Sequence, residues 1–128
     1  MNQILITGGL GYIGSHTVVE LIQAGYDPIL VDNLSESPIE VKDRIEKIVG
    51  REITFRQVEL CDRAAVDSVF KEFPDISGVI HFAAFLLVNE SVEAPLKYYQ
   101  NNLLSTVNLL QSMEAHGIRN IVFSSSCT

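Results

Sequence analysis

Cysteine, basic side chains and long apolar runs are all scarce in this sequence of 128 residues. Two cysteines are too few and too far apart for a disulfide framework, so we interpret Cys61 and Cys127 as reduced thiols. Nine basic against 16 acidic residues give a net charge of −7, which argues against a nucleic-acid or anionic-membrane surface. No apolar run approaches the roughly 20 residues of a membrane helix, and the N-terminus lacks the pattern of a signal peptide. We therefore expect a cytoplasmic protein that binds neither nucleic acid nor membrane.

The overall composition and length fit one globular domain. Apolar residues make up 47% and charged residues 20% of the chain, which is ordinary for a folded domain. The length allows a real core but is short for a complete two-domain enzyme. We expect residues 1–128 to form a single domain.

Short β-rich runs alternate with longer amphipathic stretches along the chain, which is typical of a parallel sheet covered by helices. Strands are predicted over residues 3–7, 28–32, 53–58, 78–83 and 121–124, and helices over 12–24, 37–50, 62–74 and 95–116. The strands are continuously apolar, as expected when both faces of the sheet are covered. Right-handed crossovers then favour a doubly wound, Rossmann-like α/β fold with strand order 3-2-1-4-5, in which ligands bind at the carboxyl ends of the strands.

Several residues are placed to begin or end these helices. Three glycines are predicted to end them: Gly25, Gly50 and Gly117. Asp62 is predicted to cap the third helix, and Ser37 with Glu40 predicts a capping box at the second. The second helix would then bury one apolar face, formed by Val41, Ile45, Ile48 and Val49.

A glycine-rich turn follows the first predicted strand directly. Gly8, Gly11 and Gly14 are spaced three apart, with a strand before them and a helix after them. Residues without Cβ let the chain turn sharply, let backbone N–H groups approach a diphosphate and seat the helix on the strand. The helix N-terminus adds partial positive charge. A purely structural turn is the alternative, but the context on both sides favours a dinucleotide-binding loop.

An acidic residue ends the second predicted strand. Asp32 lies 18 positions beyond Gly14 and is followed by Asn33. A carboxylate there can accept hydrogen bonds from both hydroxyls of an adenosine ribose and would repel a 2′-phosphate. Because no Arg or Lys adjoins Asp32, we predict NAD rather than NADP as the cofactor. The alternative interpretation is an Asp that only caps a turn.

Longer stretches resemble the UDP-glucose 4-epimerase family of the extended short-chain dehydrogenases/reductases. The similar stretches are TGGLGYIGSHT at residues 7–17, VDNL at 31–34, VIHFAA at 79–84, ESV at 90–92 and FSSSCT at 123–128. They cover the whole chain in order, which is more specific than the glycine loop alone. The resemblance implies an enzyme that interconverts UDP-glucose and UDP-galactose through a 4-keto intermediate, with NAD as cofactor, a UDP-sugar as substrate and a homodimer as the intact protein.

The resemblance also implies a cofactor-binding set: Gly8, Gly11, Tyr12, Ile13, Gly14, Asp32, Asn33, Glu59, Leu60, Phe82, Ala83, Ala84, Asn101 and Ser126. Residues 12–13 would lie over the phosphates and 32–33 would hold the adenosine ribose. Residues 59–60 would flank the adenine, and 82–84 would line the nicotinamide side. Asn101 would hydrogen-bond near the cofactor.

The same resemblance implies that Ser126 is catalytic, bonding the sugar 4-hydroxyl and helping its proton to move. Two positions depart from the family's pattern: Glu59 replaces an Asp, and Leu86 stands where a Lys is usual. The family's Tyr-x-x-x-Lys pair and its substrate domain would lie beyond Thr128. We therefore expect this chain to be the N-terminal, NAD-binding portion and to be inactive alone.

Other chemistries are weaker. The three histidines, His16, His81 and His116, have no Cys or acidic partner at ligand spacing, so we predict no metal site. His81 is interpreted as a satisfied core residue, and His116 suits a helix C-terminus. The serines at residues 124–126 lack the Gly-x-Ser-x-Gly elbow of an acyl nucleophile.

Two other functions remain open. A sister sugar-nucleotide epimerase or dehydratase is possible, although dehydratases would place acidic residues where Cys127 and Thr128 stand. A non-catalytic dinucleotide-binding module is the second.

The long helix carries a broad apolar surface, formed by Leu96, Leu103, Leu104, Val107, Leu110 and Met113. This surface could pack on the sheet, or part of it could pack on a partner helix. The fifth strand would be an exposed edge.

Overall fold

A computed structural model describes residues 2–35, 37–83 and 92–124, which form one parallel sheet with helices on both faces. The strands are β1 (Gln3–Thr7), β2 (Asp27–Asp32), β3 (Thr54–Gln57), β4 (Ile76–His81) and β5 (Ile121–Phe123). The helices are α1 (Tyr12–Gln23), α2 (Glu40–Val49), α3 (Arg63–Glu72) and α4 (Pro95–Ala115). The strand order is β3-β2-β1-β4-β5, which confirms the predicted doubly wound topology. None of the described helices has the length and apolarity needed to cross a bilayer.

Alternate residues of the strands serve two separate cores. On one face, α1 and α2 pack against β1 and β2 through residues that include Val18, Ile45, Ile6 and Leu30. On the other face, α3 and α4 pack against the sheet through a larger cluster. Successive side chains of a strand point to opposite faces, so a continuously apolar strand supplies both cores at once.

Most predicted helix ends are confirmed. Asp62 caps α3 by accepting a hydrogen bond from the Ala65 amide at 3.3 Å. Gly25, Gly50 and Gly117 follow the last turns of α1, α2 and α4 with φ values of +93°, +72° and +73°. Such left-handed conformations are accessible to glycine without a Cβ penalty.

The predicted start and apolar face of the second helix were partly wrong. Among the residues described around its start, no side chain caps α2, and Ile39 occupies the N-cap position instead of Ser37. The Val41 and Lys42 amides instead bond the carbonyls of Pro38 and Ile39 in a tight first turn, so a hydroxyl cap is not needed. Of the predicted apolar face, Ile45 is buried but Ile48 is 68% exposed.

The predicted fourth strand was placed two residues too late. β4 ends at His81, and the Ala83 amide bonds the Thr7 side chain. The apolar sequence continues past His81, so it gave no signal that the strand stops there.

The long helix α4 buries a largely polar face rather than the apolar one. Its buried residues are Tyr98, Ser105, Asn108, Leu109, Ser112 and Met113. Five of the six residues predicted as an apolar surface are exposed: Leu96, Leu103, Leu104, Val107 and Leu110. Packing on the sheet therefore does not account for that surface. β5 lies at the edge of the sheet, with Val122 and Phe123 exposed.

Candidate functional site

A cavity of about 100 Å³ lies at the carboxyl ends of the strands, where the glycine loop, β2, β3 and β4 meet. Most of the predicted set lines it: Gly8, Gly11, Asp32, Asn33, Glu59, Leu60, Phe82, Ala83 and Asn101. Five residues outside the predicted set also line it: Val31, Ser35, Ser37, Val58 and Ser105. The fold therefore brings together segments that are distant in sequence, at the edge where open α/β sheets bind ligands.

At two positions the glycine loop is packed against other backbone atoms too closely for a side chain. Gly8 has φ +67°, and a Cβ there would lie 2.9 Å from the Ala83 amide nitrogen. A Cβ on Gly14 would overlap the Gly8 carbonyl oxygen. These contacts seat α1 and the end of β4 against the loop. Gly9, which the three-residue spacing did not single out, is restricted by a side chain instead, because a Cβ there would lie 2.7 Å from Cγ of Leu30.

Gly11 differs from the other loop glycines. It is the N-cap of α1 in an extended conformation (φ −70°, ψ 174°), and a Cβ there would have only ordinary to tight contacts, the nearest at 3.3 Å. Within this described segment no side chain caps α1, and its first turn carries no acidic residue. The helix thus leaves N–H donors and partial positive charge available beside the cavity, which suits an anionic group.

Tyr12 and Ile13 lie at the start of α1 but outside the cavity lining. Both are exposed, at 83% and 58%. The Tyr12 ring packs edge-on against His16, with the ring centroids 4.9 Å apart. Gly14 also lies outside the cavity lining, and it packs closely against the backbone of Gly8.

The Asp32 carboxylate is fixed by backbone amides and faces the cavity. Oδ1 accepts a hydrogen bond from the Leu34 amide at 2.8 Å, and Oδ2 accepts one from the Leu10 amide at 3.3 Å. Asp32 is 91% buried yet lines the cavity. A carboxylate has about four acceptor positions, so two remain for hydroxyl groups of a ligand.

Asn33 and Glu59 form the side of the cavity next to Asp32. The Asn33 amide Nδ2 donates to Glu59 Oε2 at 2.9 Å, and the Cys61 amide donates to Glu59 Oε1 at 3.1 Å. The longer Glu59 arm is therefore held in place. Burial raises the pKa of the Cys61 thiol, and the nearby Glu59 charge raises it further, which disfavours the thiolate form.

Thr7, which ends β1, connects the loop to the end of β4. Its Oγ1 accepts hydrogen bonds from the amides of Phe82 at 3.0 Å and Ala83 at 3.2 Å. The same oxygen lies 2.6 Å from Nδ1 of His81. His81 is buried, as predicted for a satisfied core residue, and burial lowers the pKa of His81 to about 4.

The first turns of α4 close the cavity over the end of β3. Asn101 and Ser105 lie one helical turn apart and both line it. Asn108, one turn further, donates from Nδ2 to the Leu60 carbonyl at 2.8 Å and ties α4 to the segment after β3. The Asn101 amide donates to Oδ1 of Asn102 at 2.9 Å.

Two predicted site residues, Ala84 and Ser126, lie outside the described residues, as do Leu86 and Cys127. Their roles stay predictions. Across the described ranges no group of three His, Cys, Asp or Glu side chains is arranged to hold a metal ion.

Several residues of the site were not predicted from the sequence. Ser35 and Ser37 follow the predicted acidic strand end, and Ser105 stands four positions after Asn101 on a helix. The i, i+4 spacing could have indicated Ser105, because such residues share one helix face. Thr7 precedes the first glycine directly, but only the strand pairing shows that it lies beside His81.

Comparison with known proteins gives a consistent picture. The model of the NAD dependent epimerase/dehydratase family matches residues 4–128. UDP-glucose 4-epimerase of Bacillus subtilis (strain 168) is 54% identical over 125 residues, covering 98% of this chain and 37% of that protein. That of Dictyostelium discoideum is 51% identical, covering 99% of this chain and 37% of that protein. The chain therefore spans about 37% of the length of these curated relatives.

A solved structure has nearly the same fold. UDP-glucose 4-epimerase from Bifidobacterium longum, in complex with NAD+ and UDP, superposes with a TM-score of 0.94 at 43% identity. The match covers 98% of this chain and 37% of that one.

Proposed function

The chain belongs to the NAD dependent epimerase/dehydratase family, and we propose that it is the NAD-binding portion of a UDP-glucose 4-epimerase. The observation that carries the proposal is the cavity that joins a glycine loop, an uncapped helix N-terminus and the buried carboxylate of Asp32. Each part suits one part of a dinucleotide. The relatives that are 51–54% identical are UDP-glucose 4-epimerases, which supports the choice within the family.

The residues present fit NAD in one orientation. The N–H donors at the start of α1 would hold the diphosphate, and Asp32 would accept hydrogen bonds from the adenosine ribose hydroxyls. Asn33 would hold the same ribose beside Asp32, and Glu59 and Leu60 would flank the adenine. Because β4 lies on the opposite side of β1 from β2 and β3, the nicotinamide half would lie against Phe82 and Ala83.

The intact protein would interconvert UDP-glucose and UDP-galactose, and this chain would supply the cofactor site. When bound, NAD would accept a hydride from the sugar and return it. Ser126 would bond the sugar 4-hydroxyl and help its proton to move. No Tyr-x-x-x-Lys sequence occurs in these 128 residues, so we expect the isolated chain to lack turnover. Sustained conversion of UDP-galactose by the pure chain would contradict this assignment.

We also propose that the intact protein is a cytoplasmic homodimer. The exposed apolar residues of α4 support the dimer, because a contiguous apolar surface on a helix favours packing on a partner. The cytoplasmic location stays a prediction of the sequence.

The cofactor assignment is tested by titrating the purified protein with NAD and with NADP in a calorimeter. We expect NAD to bind at least about tenfold more tightly, because a 2′-phosphate would lie against the buried Asp32 carboxylate. Asp32→Asn keeps the shape but removes the charge, so this preference should fall about tenfold.

The matched control is Asp27→Asn, at the opposite end of β2, where Asp27 pairs with Arg51 instead of facing the cavity. This variant should keep the wild-type preference. Equal affinity of the wild type for both dinucleotides would refute the role of Asp32.

A further inference from the structure

We propose that His81 is a positioning residue of the NAD site. Its ring orients the Thr7 hydroxyl, and that hydroxyl holds the backbone of residues 82–83 as one wall of the cavity. The inference rests on the proposed function, because it concerns how the nicotinamide side of that same site is fixed.

Among the groups that the structure describes, His81 Nδ1 is the acceptor placed to receive the proton of the Thr7 hydroxyl. Thr7 Oγ1 accepts hydrogen bonds from the Ala83 amide and from the Phe82 amide, which it shares with the Thr7 carbonyl oxygen at 3.1 Å, so both of its acceptor positions are used. His81 Nδ1 lies 2.6 Å away. Thr7 therefore donates its proton to Nδ1, and Nδ1 must be the unprotonated ring nitrogen.

The other end of the ring requires the same tautomer. The Thr106 hydroxyl donates to the Asn102 carbonyl at 2.8 Å, so its oxygen is free to accept. His81 Nε2 lies 3.2 Å from that oxygen. Nε2 therefore carries the proton and donates it. The contacts of Nδ1 with Thr7 and of Nε2 with Thr106 both require a neutral ring that is protonated at Nε2.

The surroundings of the ring keep it neutral. His81 is 3% exposed, and the Phe123 ring lies beside it with a centroid distance of 5.6 Å. The hydrogen-bond partners that the structure gives the ring are two threonine hydroxyls, and neither is charged. Burial lowers the pKa of His81 to about 4, so Nδ1 is an acceptor throughout the physiological range. An imidazolium would instead donate to Thr7 and compete with the two amides.

The hydrogen bonds from His81 through Thr7 to residues 82–83 lie on one side of the cavity, and this location determines which part of the ligand they affect. Thr7 and His81 end β1 and β4, while Asp32 ends β2 on the other side of the glycine loop. A diphosphate on the loop puts the adenosine half at β2 and β3 and the nicotinamide half at residues 82–83. His81 should therefore affect binding of NAD but hardly that of ADP.

Three variants of His81 separate positioning from general stability. His81→Asn keeps an acceptor near the former Nδ1, so it should bind NAD almost as the wild type does. His81→Gln keeps only a donor near the former Nε2, and His81→Leu keeps neither. We expect the Gln and Leu variants to bind NAD about tenfold more weakly, with ADP affinity within about twofold of the wild type.

His116→Leu provides a matched control. His116 is the C-cap residue of α4, where its Nδ1 lies 2.8 Å from the Ser112 carbonyl oxygen, and it does not line the cavity. Loss of this histidine should lower the melting temperature without changing the ratio of NAD to ADP affinity. Parallel losses of NAD and ADP binding in the Gln and Leu variants, or an Asn variant as weak as Leu, would show that His81 only stabilises the fold.

Nitrogen-15 NMR of the His81 ring tests the proposal in the wild-type protein, so the result does not depend on the folding of a variant. We expect an unprotonated Nδ1 and a protonated Nε2, and the reverse tautomer would overturn the proposal. The wild-type titrations separate the two hypotheses. Absence of both NAD and ADP binding would refute the proposed function and this inference with it. Normal binding by the wild type, with NAD affinity unchanged in the His81 variants, would refute the inference alone.

Discussion

Gly11 and Gly14 separate the requirements of folding from those of ligand binding. A Cβ on Gly14 would overlap the Gly8 carbonyl oxygen, so Gly14→Ala should lower the free energy of unfolding by about 3 kcal/mol. Gly11 has an extended backbone and a nearest contact of 3.3 Å, so Gly11→Ala should change stability by less than about 1 kcal/mol. Because Gly11 lines the cavity, the same methyl group should weaken NAD binding.

Urea unfolding and NAD titration of both variants check this prediction. A stable Gly11→Ala protein with wild-type affinity for NAD would show that the dinucleotide does not approach the loop there.

His81 should make the fold less stable as the pH falls below neutral. Its pKa is about 4 in the folded protein against an ordinary value of 6.5, so the unfolded chain takes up a proton first. The contribution of His81 to stability should therefore be constant well above pH 6.5 and be lost as the pH falls through 6.5 to 4, by about 3 kcal/mol in total.

The carboxyl groups of Glu46, Asp67 and Glu72 have pKa values lowered by their hydrogen-bond partners, so their stabilisation is lost only below about their ordinary values of 3.8 to 4.5. Urea unfolding at a series of pH values should show a smaller loss in His81→Asn, which does not titrate. An equal loss in both proteins would contradict the buried neutral ring.

The residues that the sequence could indicate are those with a local signal. Gly8, Asp32 and Asn33 were identified by spacing within a strand, turn and helix pattern, and all three line the cavity. Thr7 and His81 lie 74 positions apart, and only the parallel pairing of β1 with β4 brings them together. Bonds of this kind depend on tertiary contacts, so a single sequence gives no signal for them.

At the level of elements, the cap of α3 is a defined contribution to stability. Asp62 accepts a hydrogen bond from the Ala65 amide, so Asp62→Ala should cost about 1 kcal/mol of unfolding free energy. Asp62→Asn retains a side-chain oxygen and is the matched control, with a much smaller loss expected. Thermal unfolding of both variants checks this, and equal losses would show that charge rather than capping matters at this position.

Element types and order followed from periodicity, whereas some boundaries and faces did not. The strands β1–β5 and helices α1–α4 of the described ranges were predicted in their order, because continuous apolar runs and helix-ending glycines are strong local signals. The predicted start of α2 was wrong, because backbone hydrogen bonds close its first turn and Ile39, not Ser37, occupies the N-cap position. The buried face of α4 could not be predicted, because Ser105, Asn108 and Ser112 are polar and are buried through tertiary hydrogen bonds or close packing.

At the level of the whole molecule, the exposed face of α4 predicts self-association. Leu103 and Val107 are one turn apart and 59% and 47% exposed. Replacing both with Arg should shift the intact protein from dimer to monomer in sedimentation velocity experiments, because charges at the centre of an apolar interface are strongly disfavoured. Ile48→Arg, at a 68% exposed apolar position on α2, is the control and should leave the dimer intact. A wild-type protein that sediments as a monomer would refute the dimer.

The arrangement of the NAD site is tested most directly by a crystal structure of the protein with NAD bound. The diphosphate should lie at the glycine loop and the start of α1, both adenosine ribose hydroxyls should be within hydrogen-bond distance of the Asp32 carboxylate, and the nicotinamide should lie beside Phe82 and Ala83. A dinucleotide bound in another place, or a ribose out of reach of Asp32, would contradict the proposed function.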